Sequence, residues 1–190
     1  MARELPNDPG RRRAIKCAVG LGLGLTFAGG STLAEGDPAS ARPMEGDLLV
    51  KANDAAAKPL TVDDIDAHGP TFAWAMSADG TIRRGSRLNG LLLLKLDAGE
   101  LDAGTKALAA DGIVAYTSIC THAGCDVDEW IDDERLLSCA CHGSVFDPKR
   151  GARVVDGPAP RSLPALPLKV VGGRLVVAGP FTSSVGFESA

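Results

Sequence analysis

The residues able to do chemistry are concentrated in one short stretch of this 190-residue chain. Four of its five cysteines and two of its three histidines lie between Cys120 and His142. Thiolate and imidazole groups are ligands for zinc and iron, and two thiols can also form a disulfide. The clustering therefore predicts a metal site, a disulfide, or both.

Cysteine and histidine occur together in two segments, residues 120–125 with the sequence CTHAGC and residues 139–144 with the sequence CACHGS. A third segment, residues 157–160, has the sequence GPAP. Together they resemble the two cluster-binding loops and the proline loop of the Rieske iron–sulfur proteins. The resemblance extends over about residues 112–177, and three matched segments in the same order make it specific.

This resemblance implies one [2Fe–2S] cluster per chain. In such a centre two cysteines hold one iron and two histidines hold the other, which raises the reduction potential above that of an all-cysteine cluster. By position in the two segments, Cys120 and Cys139 would hold a buried iron, while His122 and His142 would hold the outer one. Each segment would then bind both irons.

The resemblance also implies roles for neighbouring residues. Cys125 and Cys141 match a pair that forms a disulfide in the quinol-oxidising branch of the family. Ser144 matches a serine whose hydroxyl donates to a bridging sulfide and so stabilises the reduced cluster. The members of highest potential have a tyrosine that donates to a ligand cysteine, whereas this chain has Phe146. We therefore expect a potential below the top of the family range.

A structural zinc site is the alternative that the ligand types alone allow. Zinc fingers usually combine a Cys-x₂₋₄-Cys unit with two closely spaced histidines, whereas here each half of the site contains both residue types. The second cysteine pair and the 157–160 segment would have no role around zinc. Iron content and a visible absorption spectrum separate the two hypotheses.

The elements that must position these segments are predicted to be mainly strands. The chain has 23 Gly and 12 Pro but only 4% aromatic residues, which is typical of short strands and many turns. A capping-box pattern at residues 97–100 predicts one helix over residues 101–110. Strand-like runs cover residues 47–51, 71–76, 88–96 and 112–118, and a hairpin with a Gly-Gly turn covers 166–177. The resemblance adds the all-β Rieske fold, in which antiparallel sheets carry an inserted cluster-binding subdomain at about 118–160.

The first 41 residues are predicted to be an export signal or membrane anchor followed by a linker. Residues 11–16, RRRAIK, precede a Gly-rich apolar run, which is typical of secretion signals, and the paired arginines resemble the twin-arginine signal. Residues 14–33 also match the length of about 20 residues that spans a bilayer, so both cleavage and retention as an anchor stay open. Residues 35–47 are polar and rich in Pro and Gly, which favours a linker, and residues 42–190 are assigned to the Rieske domain.

The net charge of −4 and the pI near 5.4 argue against nucleic acid as a partner. The family resemblance implies one-electron transfer, and the twin-arginine-like signal predicts that it takes place in the periplasm or at the periplasmic face of the inner membrane. One hypothesis is the Rieske subunit of a quinol:cytochrome c reductase-like complex, with cytochrome b and c partners and quinol as the donor. The alternative is the small electron-transfer subunit of a periplasmic molybdenum oxidoreductase such as the arsenite oxidase type. Ring-hydroxylating oxygenases and their ferredoxins fit less well, since they are cytoplasmic and lack the second cysteine pair.

Overall fold

The computed structural model describes residues 36–187. The export-signal and anchor predictions concern residues outside this range. Within the described range, no helix combines the length and the apolar character needed to cross a membrane. The only α-helix among these residues is α1 (Ala103–Leu108). The strands are β1 (Leu48–Lys51), β2 (Thr71–Met76), β3 (Leu91–Lys95), β4 (Ile113–Thr117), β5 (Glu129–Ile131), β6 (Leu136–Cys139), β7 (Ser144–Asp147), β8 (Arg153–Asp156), β9 (Leu168–Val171) and β10 (Arg174–Val177).

The strands form two antiparallel sheets. The larger has the order β4-β3-β2-β1-β10-β9, and the smaller has the order β5-β6-β7-β8. The smaller sheet is formed entirely within residues 129–156, between two strands of the larger sheet in sequence. The prediction of an all-β fold with antiparallel sheets is confirmed.

Strand β3 is buried on both faces and separates two hydrophobic cores. Its side chains alternate, because successive residues of a strand point to opposite faces of the sheet. Leu92 and Leu94 pack in a core that also contains Cys120 and Cys139, which we call the site core. Leu91 and Leu93 pack in the second core, with residues such as Leu49. Burial of both faces explains why β3 is an uninterrupted run of leucines.

Strand β4 has the same alternation and leads directly into the first cysteine segment. Tyr116 is 1% exposed and belongs to the site core. Its hydroxyl donates a hydrogen bond of 2.8 Å to the carbonyl of Pro148, which follows β7. This bond ties the larger sheet to the smaller one, and it satisfies a polar group that would be costly to bury unpaired.

The predicted hairpin at residues 166–177 is confirmed. Val171 pairs with Arg174 across the turn, and both intervening glycines have positive φ, 57° at Gly172 and 77° at Gly173. Positive φ at both central positions is what a two-residue type I′ hairpin turn requires, and glycine adopts it at little cost.

The predicted helix is shorter than its sequence pattern indicates, and its start is displaced. Asp102 caps it, because its carboxylate accepts the Thr105 N–H at 2.7 Å. The predicted capping box at residues 97–100 is wrong: the Asp97 side chain instead accepts the Gly99 N–H at 2.8 Å and stabilises a turn. Strand β3 also starts later than predicted, because Ser86 caps a 3₁₀ turn at Arg87–Asn89.

The segment before β1 is bonded to the domain. The Arg42 guanidinium donates to the Leu88 carbonyl at 2.7 Å, and the Asn89 side chain donates to the Ala41 carbonyl at 2.8 Å. Asp47 forms a buried ion pair with Arg83, with 3.1 Å between Arg83 Nη2 and Asp47 Oδ1. The prediction that residues 35–47 form a linker is therefore wrong from Pro38 onwards. A Pro/Gly-rich composition indicates irregular backbone, but such backbone can still be held by specific hydrogen bonds.

We expect Asp47→Asn to destabilise the fold by about 3 kcal/mol, because it leaves the buried Arg83 guanidinium without its ion-pair partner. Urea unfolding followed by circular dichroism measures this. The matched control is Asp133→Asn, which makes the same change at an exposed position and should shift stability by under about 0.5 kcal/mol. Equal stability of the two variants would contradict the anchoring role of the ion pair.

Candidate metal centre

The two cysteine-containing segments adopt the same turn. Loop 1 (residues 118–125) follows β4, and loop 2 (residues 139–144) connects β6 to β7. The Gly124 N–H donates to the Cys120 carbonyl at 3.0 Å, and the Gly143 N–H donates to the Cys139 carbonyl at 3.0 Å. Both glycines have positive φ, 73° and 72°. Each loop therefore reverses its chain direction within four residues of its first cysteine, at a glycine. The role of these two glycines was not predicted from the sequence.

The structure pairs cysteine with cysteine and histidine with histidine. Cys120 and Cys139 are each 1% exposed, and their thiols lie within hydrogen-bonding reach of each other. The rings of His122 and His142 meet edge to face, with centroids 4.7 Å apart. His122 is half-buried and His142 is exposed. The four predicted ligands are thus arranged as a buried thiol pair and an outer imidazole pair.

One nitrogen atom of this group lacks a partner within the described part of the protein. His122 Nδ1 is buried and has no hydrogen-bond partner among the described residues. Buried polar atoms are normally hydrogen-bonded, so an unpaired imidazole nitrogen beside a second imidazole suits a metal. The adjacent Cys120 and Cys139 are free of disulfides. Two thiols and two imidazoles, paired by type, are the donor set of a Rieske [2Fe–2S] cluster.

Burial raises the pKa of the Cys139 thiol, although the Cys141 backbone N–H, which donates to it, acts in the opposite direction. Without metal the buried thiol is therefore held in its neutral form. A metal held by Cys139 would displace that proton, because the thiolate is the ligand form of cysteine.

A second group of sulfur atoms lies beside the ligands. The Sγ atoms of Cys125, Cys139 and Cys141 all lie within 4.8 Å of one another. Cys125 and Cys141 are joined by a disulfide, so their sulfurs are not available to a metal. This group is therefore not itself the metal site. Its disulfide cross-links loop 1 to loop 2 directly beside Cys139.

The segment at residues 157–160 packs with its backbone against loop 2. Gly157 has φ of +84°, and a Cβ placed there would lie 2.5 Å from the Gly143 carbonyl oxygen and from Ser144 Cα. The Ala159 N–H donates to Ser144 Oγ at 3.1 Å. On the other side, the Thr121 hydroxyl donates to the Arg161 carbonyl at 2.6 Å. The chain from Gly157 to Arg161 therefore fastens both loops.

Arg87 supports loop 1 from outside. Its guanidinium donates to the Gly124 carbonyl at 2.7 Å and pairs with Asp126 at 3.0 Å. Sequence reasoning missed both Arg87 and Thr121, because their partners are 37 and 40 residues away and no local pattern marks such contacts. His68, the remaining histidine, is exposed and lies in a bend away from any motif.

Comparison with known proteins agrees with this geometry. Residues 96–167 match the sequence profile of the Rieske [2Fe–2S] domain. The cytochrome bc1 complex Rieske iron–sulfur subunit of Streptomyces lividans is 33% identical over 147 residues, which are 75% of this chain and 85% of that protein. The chain belongs to the Rieske family. A [2Fe–2S] cluster is therefore its cofactor, and the zinc alternative is set aside.

Other Rieske proteins show more partial similarity. A putative respiratory nitrate reductase Rieske subunit of Haloferax mediterranei is 40% identical over 97 residues, half of this chain. The chain spans only 43% of that relative, and 41% of the cytochrome bc1 Rieske subunit of Streptomyces coelicolor. The soluble domain of Rieske protein II from Sulfolobus acidocaldarius superposes with a TM-score of 0.46 at 19% identity, over 70% of this chain and 85% of that one.

We expect Gly157→Ala to lose about 2–4 kcal/mol of unfolding free energy, because a positive φ costs roughly 1–2 kcal/mol and the new Cβ overlaps loop 2. Gly172→Ala is the matched control, since Gly172 also has positive φ but has open space where the Cβ would go. In chemical denaturation the control should lose only the roughly 1–2 kcal/mol of unfolding free energy that a positive φ costs. The same loss in both variants would show that the 157–160 segment is not packed closely on loop 2.

Proposed function

We propose that the chain transfers single electrons through a [2Fe–2S] cluster whose iron ligands are Cys120, His122, Cys139 and His142. The observation that carries this proposal is the opposite burial of the two ligand pairs. The thiols are buried in the site core, whereas the imidazoles reach the surface. Ligands of the outer iron at the surface give electrons a short route to a partner protein.

Around the ligands, the residues of this chain provide rigidity. When bound, a cluster with two histidine ligands supplies a one-electron centre at higher potential than an all-cysteine cluster. The disulfide, the Gly157–Arg161 chain and Arg87 hold both loops in place, which keeps rearrangement on electron transfer small. With Nδ1 of His122 as the ligand atom, its Nε2 is left to hold or release a proton towards a partner.

The complex we favour is quinol:cytochrome c reductase-like, with cytochrome b and c proteins as partners and quinol as donor. The name of the Streptomyces lividans relative supports this choice, as does the disulfide between the loops. An exposed imidazole such as that of His142 can accept a hydrogen bond from a quinol hydroxyl.

The second candidate is the small electron-transfer subunit of a periplasmic molybdenum oxidoreductase, of which arsenite oxidase is one type. The Haloferax relative favours it, because its name assigns a Rieske subunit to a reductase other than cytochrome bc1. Affinity purification of the full chain from membranes and periplasm decides between the two. Cytochrome b in the complex supports the first candidate, and a molybdenum-containing subunit supports the second.

We further propose export through the twin-arginine-like segment to the periplasm or to the periplasmic face of the inner membrane. A disulfide persists in an oxidising compartment, which supports this location. The proposed organisation is a signal or anchor, then the Rieske domain, with a cluster-binding subdomain at about 118–160. We move the start of the domain from residue 42 to Pro38, because residues 38–41 already bond to it.

We expect Cys139→Ser and His142→Cys to abolish the native centre, because each loop supplies one ligand to each iron. Wild-type protein should contain about two irons per chain and give a Rieske-type EPR signal. His68→Ala, which removes the exposed histidine, should keep both. Stoichiometric zinc in the wild type, with no such signal, would contradict the proposed function.

We expect Ser144→Ala to lower the reduction potential and Phe146→Tyr to raise it, each by about 40 mV. The estimate takes about 1 kcal/mol for a neutral hydrogen bond and 59 mV per tenfold change for one electron. Ser144 Oγ already accepts the Ala159 N–H, so its own proton is left to donate towards the cluster. The gain in Phe146→Tyr requires the new hydroxyl to reach the sulfur of Cys139.

Protein-film voltammetry at fixed pH measures these potentials. Ser138→Ala is the control, since this serine is next to Cys139 but its hydroxyl donates to the Glu129 carboxylate at 3.1 Å. Its potential should stay near that of the wild type. If Ser144→Ala behaves like this control, the Ser144 hydroxyl does not tune the cluster.

A further inference from the structure

The sulfur of one proposed ligand lies against the disulfide. Cys139 Sγ is within 4.8 Å of both Cys125 Sγ and Cys141 Sγ. Thiol–disulfide exchange requires a thiolate that can reach a disulfide sulfur and a leaving group that can depart. Cys139 provides the first, because it is in no disulfide and both disulfide sulfurs lie within its reach. Its raised pKa keeps the thiolate a minor species, which slows the attack but does not block it. Cys141 provides the second, because it is exposed whereas Cys125 is half-buried.

We propose that the three cysteines form an internal thiol–disulfide exchange site that iron bound to Cys139 keeps blocked. When Cys139 carries no iron, its thiolate attacks Cys125 Sγ. A Cys125–Cys139 bond forms, the Cys125–Cys141 bond breaks, and Cys141 leaves as a thiolate. The proton lost by Cys139 passes to solvent or to Cys141. One disulfide is exchanged for another, so the step consumes no oxidant or reductant.

Attack on Cys125 is favoured over attack on Cys141 by chain geometry. Cys139 and Cys141 are separated by a single residue, so a bond between them would close a small, strained ring. Cys125 belongs to loop 1, so a Cys125–Cys139 bond preserves the cross-link between the two loops. The released Cys141 side chain is already exposed and needs no space in the site core.

This inference goes beyond electron transfer, although it rests on the proposed role of Cys139 as an iron ligand. Once Cys139 is in a disulfide, it cannot bind iron, and a chain that has lost its cluster stays unable to rebind one until a reductant resolves the bond. Cluster insertion must then precede formation of the disulfide, or occur under reducing conditions. The cluster also directs the pairing, because it leaves Cys125 and Cys141 as the two thiols of the loops that can combine.

Two variants test the exchange. Each lacks one proposed iron ligand, but only one of them retains the sulfur that attacks the disulfide. Cys120→Ser removes a ligand but keeps Cys139, whereas Cys139→Ser removes the attacking group. Each is purified iron-free under argon and alkylated with iodoacetamide while folded. A second maleimide reagent is added in acidic denaturant, and fragment-ion mass spectrometry of unreduced peptides locates the labels and the disulfide.

In Cys120→Ser we expect nearly complete iodoacetamide labelling at Cys141 and a Cys125–Cys139 disulfide. In Cys139→Ser, Cys141 should stay unlabelled and bonded to Cys125. The wild-type protein with its cluster should also retain the Cys125–Cys141 bond. An unlabelled Cys141 in folded, iron-free Cys120→Ser, with the original disulfide intact, would overturn the proposal.

Circular dichroism shows whether the variants fold. If Cys120→Ser does not, iron is removed from the wild-type protein with a chelator under argon and the same mapping is done. Transfer of the disulfide to Cys125–Cys139 supports the proposal, and its retention at Cys125–Cys141 refutes it. The disulfide mapping of Cys120→Ser requires no cluster, so it tests the exchange alone. The proposed electron-transfer function is tested separately, because it fails if the purified wild-type protein contains no iron.

Discussion

The arrangement of this protein depends on holding buried metal-binding atoms together where two loops meet. The thiols of Cys120 and Cys139 are buried side by side, and the buried Nδ1 atom of His122 has no hydrogen-bond partner among the described residues. In a folded chain this is unfavourable until a metal binds, so the surroundings must supply the stability. The disulfide, the close backbone packing at Gly157 and the Arg87 contact all act on the same two loops.

This constraint explains why the smaller sheet is so closely joined to the larger one. Loop 1 extends from β4 of the larger sheet, whereas loop 2 lies between β6 and β7 of the smaller sheet. The ligand pairs can form only if the two sheets keep a fixed relation. The site core fills the space between them, and the hydrogen bond from Tyr116 to Pro148 crosses it. Packing that looks purely structural therefore sets the separation of the ligands.

Features with a strictly local cause could be predicted from the sequence. The strand pattern of residues 71–76 and the Gly172-Gly173 turn need no distant partner, and both occur where predicted. The helix start could not be fixed, because Asp97 and Asp102 both match local capping patterns and only the fold determines which one caps. The anchoring of residues 38–47 depends on Arg83, 36 residues beyond Asp47, so composition could not reveal it.

The candidate site likewise combines features that the sequence predicts with features that depend on distant contacts in the fold. Residue types and spacing identified a metal or a disulfide, but the pairing of Cys120 with Cys139, and of His122 with His142, came from the resemblance to the Rieske family. The support from Thr121 and Arg87 was not predicted. Thr121 lies in the first cysteine segment but is neither a ligand nor part of the disulfide, and Arg87 lies outside all three segments. Such contacts join residues that become neighbours only after the two sheets have packed.

The position of β3 between two cores affects how this chain can vary. Its leucines alternate between the site core and the second core, with Leu92 and Leu94 on one side and Leu91 and Leu93 on the other. Exchange of one aliphatic side chain for another of similar volume disturbs only one core. Insertion or deletion of a single residue would turn every later side chain of the strand to the opposite face. The length of β3 is thus far more constrained than its composition, and this packing tolerates changes of chain length only in the turns that flank the strand.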